Sequence, residues 1–142
     1  MYGSLDIAVS GMIAQRARLD IVTANIANQN AILDSSGRIN PYRRRAAAFA
    51  PGDPSASTPE GRRLGVHLAR IDVNQGPPRL RYNPSSPYAD TDGPNRGYEP
   101  IPDIDTVMER VDEMSALRAY EANVVAAETT KTMMAQGLRL LA

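Results

Sequence analysis

The chain has 142 residues, with 16 basic and 16 acidic side chains and no cysteine. The balanced charge argues against a nucleic-acid-binding protein, because phosphate backbones select strongly basic surfaces. The absence of cysteine excludes disulfides and thiolate metal sites, and no apolar run reaches the roughly 18 residues that a bilayer span needs.

The first thirty residues predict an amphipathic helix. Two apolar rows repeat every seventh residue, and the first consists of Leu5, Met12, Leu19 and Ile26. The second row and the small residues between the rows widen the apolar face beyond what one partner helix covers. Ser4 or Asp6 is placed to cap this helix. We therefore expect a helix with several neighbours, and one amphipathic helix on a single core is the alternative.

The middle of the chain, residues 31–102, is rich in proline and glycine and predicts a small β-rich domain with long loops. Three segments have the composition or alternation of strands: residues 42–49, residues 64–73 with an irregularity, and residues 79–82. Residues 51–61 predict a mobile loop. Residues 83–102 predict an extended segment without regular structure.

The last forty residues predict a second, longer helix. Residues 103–142 contain no proline, and Asp103 or Asp105 can cap the start of the helix. Apolar side chains recur at steps of three and four, at Val107, Val111, Met114, Leu117, Tyr120, Val124, Ala127, Met134, Leu138 and Leu141.

These segments define an α+β protein with three domains: an N-terminal helix (1–30), a small β-rich middle domain (31–102) and a C-terminal helix (103–142). The middle domain has too few large apolar residues to cover both helices. The two helices must therefore bury each other or bury against other copies of the chain. We expect them to pair as an antiparallel coiled coil in a protein built for assembly.

No candidate motif predicts a catalytic, metal or cofactor site. His67 is the only histidine, and no G-x-S-x-G elbow accompanies it. The run from Asp90 to Gly93 resembles the start of a calcium loop, but its glycine comes too early, which favours a plain turn. The arginines at 43–45 have one adjacent aromatic residue, Tyr42, and few other basic residues nearby, which favours a solvated or interface strand over a nucleic-acid patch. We expect no enzyme activity, and a hydrolase using Asp90 and Asp92 is the weakest alternative.

Two stretches resemble a known family. Residues 7–28 resemble the shared start of bacterial flagellar axial proteins, in which a helix of small residues ends in an N-x-A-N pattern, here residues 25–28. Residues 114–134 resemble their C-terminal helix, most specifically in the run AYEANV at 119–124. Short motifs in the middle domain occur in the order seen in the short proximal-rod members, and the length fits those members.

The resemblance implies a structural subunit of the flagellar proximal rod, a hollow helical drive shaft that transmits torque. It implies export through the flagellar type III apparatus without a cleaved signal, and a place in the basal body within the periplasm. The implied partners are other copies of the chain, other rod proteins, the rod–membrane-ring adapter, the distal rod and the export apparatus. No nucleic acid, cofactor or membrane span is expected.

Periodicity and resemblance together predict an assembly interface on the two helices. Its expected residues are Leu5, Met12, Leu19, Asn25, Ile26, Asn28, Leu117, Tyr120, Asn123, Val124, Met134, Leu138 and Leu141. We expect Asn25 and Asn123 to make interhelical hydrogen bonds, and the ends of the free monomer to be partly disordered. The alternative function is a free helical-hairpin binding module or adaptor.

Overall fold

The computed structural model describes residues 2–141, with side chains to residue 140. Three helices and four strands follow one another as α1 (Tyr2–Ala27), β1 (Arg45–Pro51), α2 (Pro59–Leu64), β2 (Val66–Val73), β3 (Arg79–Tyr82), β4 (Tyr98–Ile101) and α3 (Thr106–Leu141). The strands form two antiparallel sheets of two strands each, β1 with β2 and β3 with β4. The predicted α+β class with long terminal helices in contact is confirmed.

Helices α1 and α3 contact each other along much of α1, and their residues meet in reverse chain order. Asn25 meets Glu109 and Arg18 meets Asp112. Gly11, nearer the start of α1, lies against Asn123, further along α3. The contact between the helices is thus confirmed, and coiled-coil packing stays a prediction. Within residues 2–141 no helix combines the length and the apolar character that a membrane span requires.

Helix α1 packs against α2, β1 and β2 as well as α3, which confirms the prediction of several neighbours. Small residues make these contacts possible, and Gly3, Ala8 and Ala14 are among the buried positions of the helix. The predicted cap was wrong, because the helix begins at Tyr2 and Asp6 lies inside it. The Asp6 carboxylate instead accepts hydrogen bonds from Thr58.

The first sheet carries the predicted irregularity. Ala48 pairs with Arg70 and Phe49 with Leu68, so Ala69 forms a bulge in β2. Strand β1 begins at residue 45, later than predicted. Helix α2 replaces part of the loop predicted for residues 51–61, with Thr58 as its N-cap. Proline in the first turn after a threonine cap is a helix-start signal that the sequence did contain.

The second sheet is a hairpin whose strands contact chiefly each other. Strand β4 lies within residues 83–102, where the sequence predicted no regular structure. Its pairing with β3 places Tyr98 opposite Tyr82 and Glu99 opposite Arg81. The tyrosine rings meet edge to face at 5.2 Å between centroids. Sequence patterns do not predict this strand because it contains Pro100, and proline argues against a strand interior.

Candidate assembly interface

A buried polar junction ties the end of α1 to the start of α3. Asn25 is 0% exposed. Its Nδ2 donates to the backbone oxygen of Arg45 at 2.8 Å and to Glu109 Oε2 at 2.9 Å. Its Oδ1 accepts from the backbone N–H of Arg45 at 3.0 Å and from the Tyr42 hydroxyl at 3.2 Å. Every hydrogen-bonding position of this amide is therefore filled.

Charged residues complete this junction. Glu109 is 0% exposed, and its Oε1 accepts from Arg44 Nε at 2.5 Å. Asp112, one turn further along α3, lies 3.0 Å from an Arg18 Nη atom and 3.4 Å from one of Arg44. Two carboxylates thus face two guanidinium groups. A buried carboxylate persists only when it is paired and hydrogen-bonded, so the junction specifies one arrangement of its three segments.

The sequence identified only part of this junction. Asn25 belongs to the N-x-A-N pattern, and its predicted interhelical hydrogen bond is confirmed. Glu109, Asp112 and Arg18 were missed as junction residues, because nothing local distinguishes them from residues on a solvated helix face. The only available signal was the run of three arginines next to Tyr42.

Asn123 has a different role from the predicted one. Its Nδ2 donates to the Ala119 backbone oxygen, one turn back in α3, at 2.9 Å. A Cβ atom added to Gly11 would lie 2.8 Å from the Asn123 amide. The prediction of an interhelical hydrogen bond was therefore wrong for Asn123. This side chain instead fills the space that Gly11 leaves between the helices.

Helix α3 carries apolar residues on two opposite faces. Its inner face, toward α1, includes the buried residues Glu109, Ala116 and Ala127. Large side chains on its outer face that are more than half exposed include Val107 at 71%, Val111 at 54%, Met114 at 54% and Val125 at 60%. No described part of the chain buries these four side chains.

The single stripe predicted for α3 is therefore divided between the two faces. From Val111 the predicted stripe takes three successive steps of three residues to Tyr120. Each such step falls about 60° short of a full turn, so together they cross about half the helix circumference. Residues before this crossing lie on the outer face, whereas Tyr120 and Ala127 lie toward α1.

The predicted interface residues differ in burial. Asn25 is buried, and Leu117 and Leu138 are exposed at 44% and 69%. The half-buried ones are Leu5, Met12, Leu19, Ile26, Asn28, Tyr120, Asn123, Val124 and Met134. The Leu141 side chain lies outside the described residues. Their role in contacts between subunits stays a prediction.

The other candidate motifs have local structural roles. His67 is half-buried, and its Nδ1 lies 2.5 Å from the backbone oxygen of Gly52. Asp90 continues the hairpin through backbone bonds to Tyr98 and Gly97, and its side chain accepts from Asp92 N at 3.3 Å. Among the described residues no three His, Cys, Asp or Glu side chains are grouped as metal ligands would be.

Comparison with known proteins identifies the class. A family model described as flagella basal body rod protein matches residues 5–31. This match covers most of α1, including the N-x-A-N pattern at its end. The match indicates a structural subunit of the flagellar basal-body rod, a class that relatives over nearly the whole chain show as well.

Relatives over nearly the whole length specify the family further. The chain is 35% identical to the flagellar basal-body rod protein FlgC of Borreliella burgdorferi, covering 99% of this chain and 97% of that protein. It is 38% identical to FlgC of Escherichia coli O6:H1, with 95% and 93% covered. It is 31% identical to FlgC of Bacillus subtilis, with 98% and 97% covered. The chain belongs to the FlgC family of rod proteins.

Proposed function

We propose that this rod subunit forms part of the proximal rod, a hollow helical drive shaft that transmits torque. The observation that carries the proposal is the outer face of α3. Val107, Val111, Met114 and Val125 would remain in water in a free subunit. In the rod, neighbouring subunits cover this face.

Such contacts explain both assembly and stiffness. In this proposal the outer face of α3 meets a different surface on the neighbouring subunit, which makes the contact heterologous. Heterologous contacts that do not close into a ring generate a helical array. Apolar surface removed from water stabilises such a contact by about 25 cal/mol per Å². The same contact is repeated by many subunits along the shaft.

We propose that α1 and α3 pair as an antiparallel coiled coil inside this shaft, with residues 31–102 as a separate middle domain outside it. The spacing along α3 supports the coiled coil. Its less exposed positions include Glu109, Ala116 and Asn123 in one row of sevens, and Glu113, Tyr120, Ala127 and Met134 in another. Alternating steps of four and three are the coiled-coil repeat.

In this proposal the predicted interface residues other than Asn25 form the contacts between subunits, together with the outer face of α3. Asn25 is buried and holds α1 and α3 together within the subunit. The partners are other copies of the chain, other rod proteins, the rod–membrane-ring adapter, the distal rod and the flagellar type III export apparatus. The subunit leaves the cytoplasm without a cleaved signal and resides in the periplasmic part of the basal body. The relatives, all named as rod proteins, do not favour a free binding module.

The test uses Val125, which lies on the outer face and is 60% exposed. We expect Val125→Asp to leave the circular dichroism spectrum and stability of the purified subunit unchanged and to prevent its incorporation into basal bodies. Val125→Leu is the matched control and should incorporate normally. Motile cells with Val125→Asp subunits in purified basal bodies would contradict the proposal. Val124 is half-buried, so an aspartate there would also disturb the subunit itself.

A further inference from the structure

The segment between β1 and β2 folds back onto the start of α1. We call residues 52–65 the strap. Its ends are joined by a hydrogen bond from Gly52 N to Gly65 O at 2.7 Å and one from Asp53 N to Arg62 O at 3.2 Å. Thr58 caps α2 within it by accepting from Gly61 N at 3.1 Å. The strap is therefore a closed and internally hydrogen-bonded unit.

Hydrogen bonds connect the strap to α1 at two levels. Asp6 Oδ2 accepts from Thr58 N at 2.9 Å and from Thr58 Oγ1 at 2.7 Å. One turn further along α1, Ser10 Oγ accepts from Val66 N, directly after the strap, at 3.0 Å. Ser10 is 1% exposed, so this contact excludes water. Bonds to an ionised carboxylate are the stronger kind, which makes Asp6 the main anchor.

The strap and the start of α1 also approach each other at van der Waals distance. A Cβ atom added to Gly61 would lie 2.8 Å from Asp6 Cβ, and one added to Gly3 would lie 2.7 Å from Glu60 Cβ. Positions 3, 6 and 10 recur at helical spacing, so they lie on one side of α1. The strap thus covers about the first three turns of the helix.

We infer that the strap is a clamp that keeps residues 2–11 helical in the free subunit. It also prevents neighbouring subunits from contacting this side of α1. Val9 and Ile13, which the strap leaves uncovered, are exposed at 39% and 62% and are available for contacts between subunits. Among the residues that the structure describes, none forms an equivalent clamp on the end of α3, and Leu138 and Leu140 are exposed at 69% and 87%. The two ends are therefore unequal before assembly, contrary to the expectation that both are partly disordered.

Hydrogen exchange followed by mass spectrometry tests this on the full-length subunit. In the unaltered protein we expect residues 2–11 to exchange at least about tenfold more slowly than residues 131–140. Thr58→Val keeps the side-chain shape but removes the hydroxyl's bond to Asp6 and the cap of α2, and it leaves the backbone bond to Asp6 in place. We expect it to speed exchange of residues 2–11 about fivefold or more.

Thr129→Val is the matched control, because Thr129 is exposed and its hydroxyl bonds only within α3, to Val125 O at 2.8 Å. It should leave residues 2–11 unchanged. Equal exchange at the two ends of the unaltered protein would overturn the inference without requiring any variant to fold. An unchanged rate for residues 2–11 in a folded Thr58→Val protein would overturn it too. Neither result depends on whether the subunit enters a rod.

Discussion

Asn25 is the residue at which the two terminal helices and the middle of the chain meet. It bonds to Arg45, 20 residues away, and to Glu109, 84 residues away. An amide suits this position because it donates and accepts at once, whereas a carboxylate in its place would repel Glu109. Loss of the amide removes the hydrogen bonds that Asn25 makes to the Arg45 backbone and to the buried Glu109 carboxylate.

We expect Asn25→Ala to lower the free energy of unfolding by about 2–4 kcal/mol, because buried polar groups without partners carry their full desolvation cost. Asn28→Ala is the control. Asn28 directly follows the same helix, but its side chain bonds only to Ala24 O, four residues back, at 2.8 Å. Asn28→Ala should lower the free energy of unfolding by less than about 1 kcal/mol. Urea denaturation measures both, and equal losses would contradict the special role of Asn25.

Two glycines within helices test how closely α1 and α3 pack. A Cβ atom added to Gly137 meets nothing within 4 Å, so Gly137→Ala should stabilise α3 by about 0.5–1 kcal/mol. Gly11→Ala should be at least about 1 kcal/mol less favourable, because Asn123 must move away. Adding Asn123→Ala to Gly11→Ala should recover part of that loss. Thermal unfolding of the unaltered protein and the three variants measures these changes in stability. Similar changes for alanine at both glycines would refute close packing at Gly11.

At the scale of elements, the β3–β4 hairpin is held together by a buried carboxylate. Glu99 is 2% exposed, and its Oε1 accepts from Arg81 Nε at 2.7 Å. The hydrogen bond from the Ser86 side chain, followed by that from Arg81, lowers the pKa of Glu99 below its ordinary value of 4.5, against the opposing effect of burial. A two-stranded hairpin alone is marginally stable in water, so this pairing matters for its order.

The lowered pKa of Glu99 predicts acid sensitivity of the hairpin. Because the folded pKa is below 4.5, the carboxylate stabilises the hairpin above that pH, and the stabilisation is lost as pH falls through the folded pKa. We expect the NMR ring signals of Tyr82 and Tyr98 to move toward disordered values below pH 4.5. Glu99→Gln should loosen the hairpin already at neutral pH and remove the pH dependence. Signals unaffected by acid would contradict this account.

At the scale of the whole molecule, α3 is longer than the helix it packs against. It has 36 residues and α1 has 26. Because Gly11 meets Asn123, a rise of about 1.5 Å per residue on both helices places the start of α1 level with about residue 132. The last turns of α3 therefore extend beyond α1, where a neighbouring subunit can reach them.

The double change Leu138→Ser and Leu140→Ser tests the extended end of α3. Both side chains are largely exposed, so we expect the free energy of unfolding of the free subunit to change by less than about 0.5 kcal/mol. Incorporation into basal bodies should fall strongly, because the contacts made by the end of α3 would be lost. Gln136→Ser, at another exposed position in the same turns, should incorporate normally. Full incorporation of the double variant would show that this end makes no essential contact.

Sequence patterns predicted the two terminal helices and some of the strands because those signals are local. The proline-free run and Asp105 located α3, and Asp105 Oδ1 accepts from Val107 N at 2.9 Å as an N-cap does. Residues 52–61 of the strap were predicted as a mobile loop because their order comes from α1, distant in sequence. Strand β4 was missed because its order comes from its pairing with β3.

The sequence by itself determined the helical periodicity, the cap of α3, the bulge and the resemblance to flagellar axial proteins, because each depends on residues close together in the chain. Only the tertiary structure decided which face of α3 is covered and which is left for neighbours. It also decided that Asn25, Arg44 and Glu109 share one junction. The physical reason is that burial and charge pairing depend on distances between segments, and periodicity within one segment does not specify them.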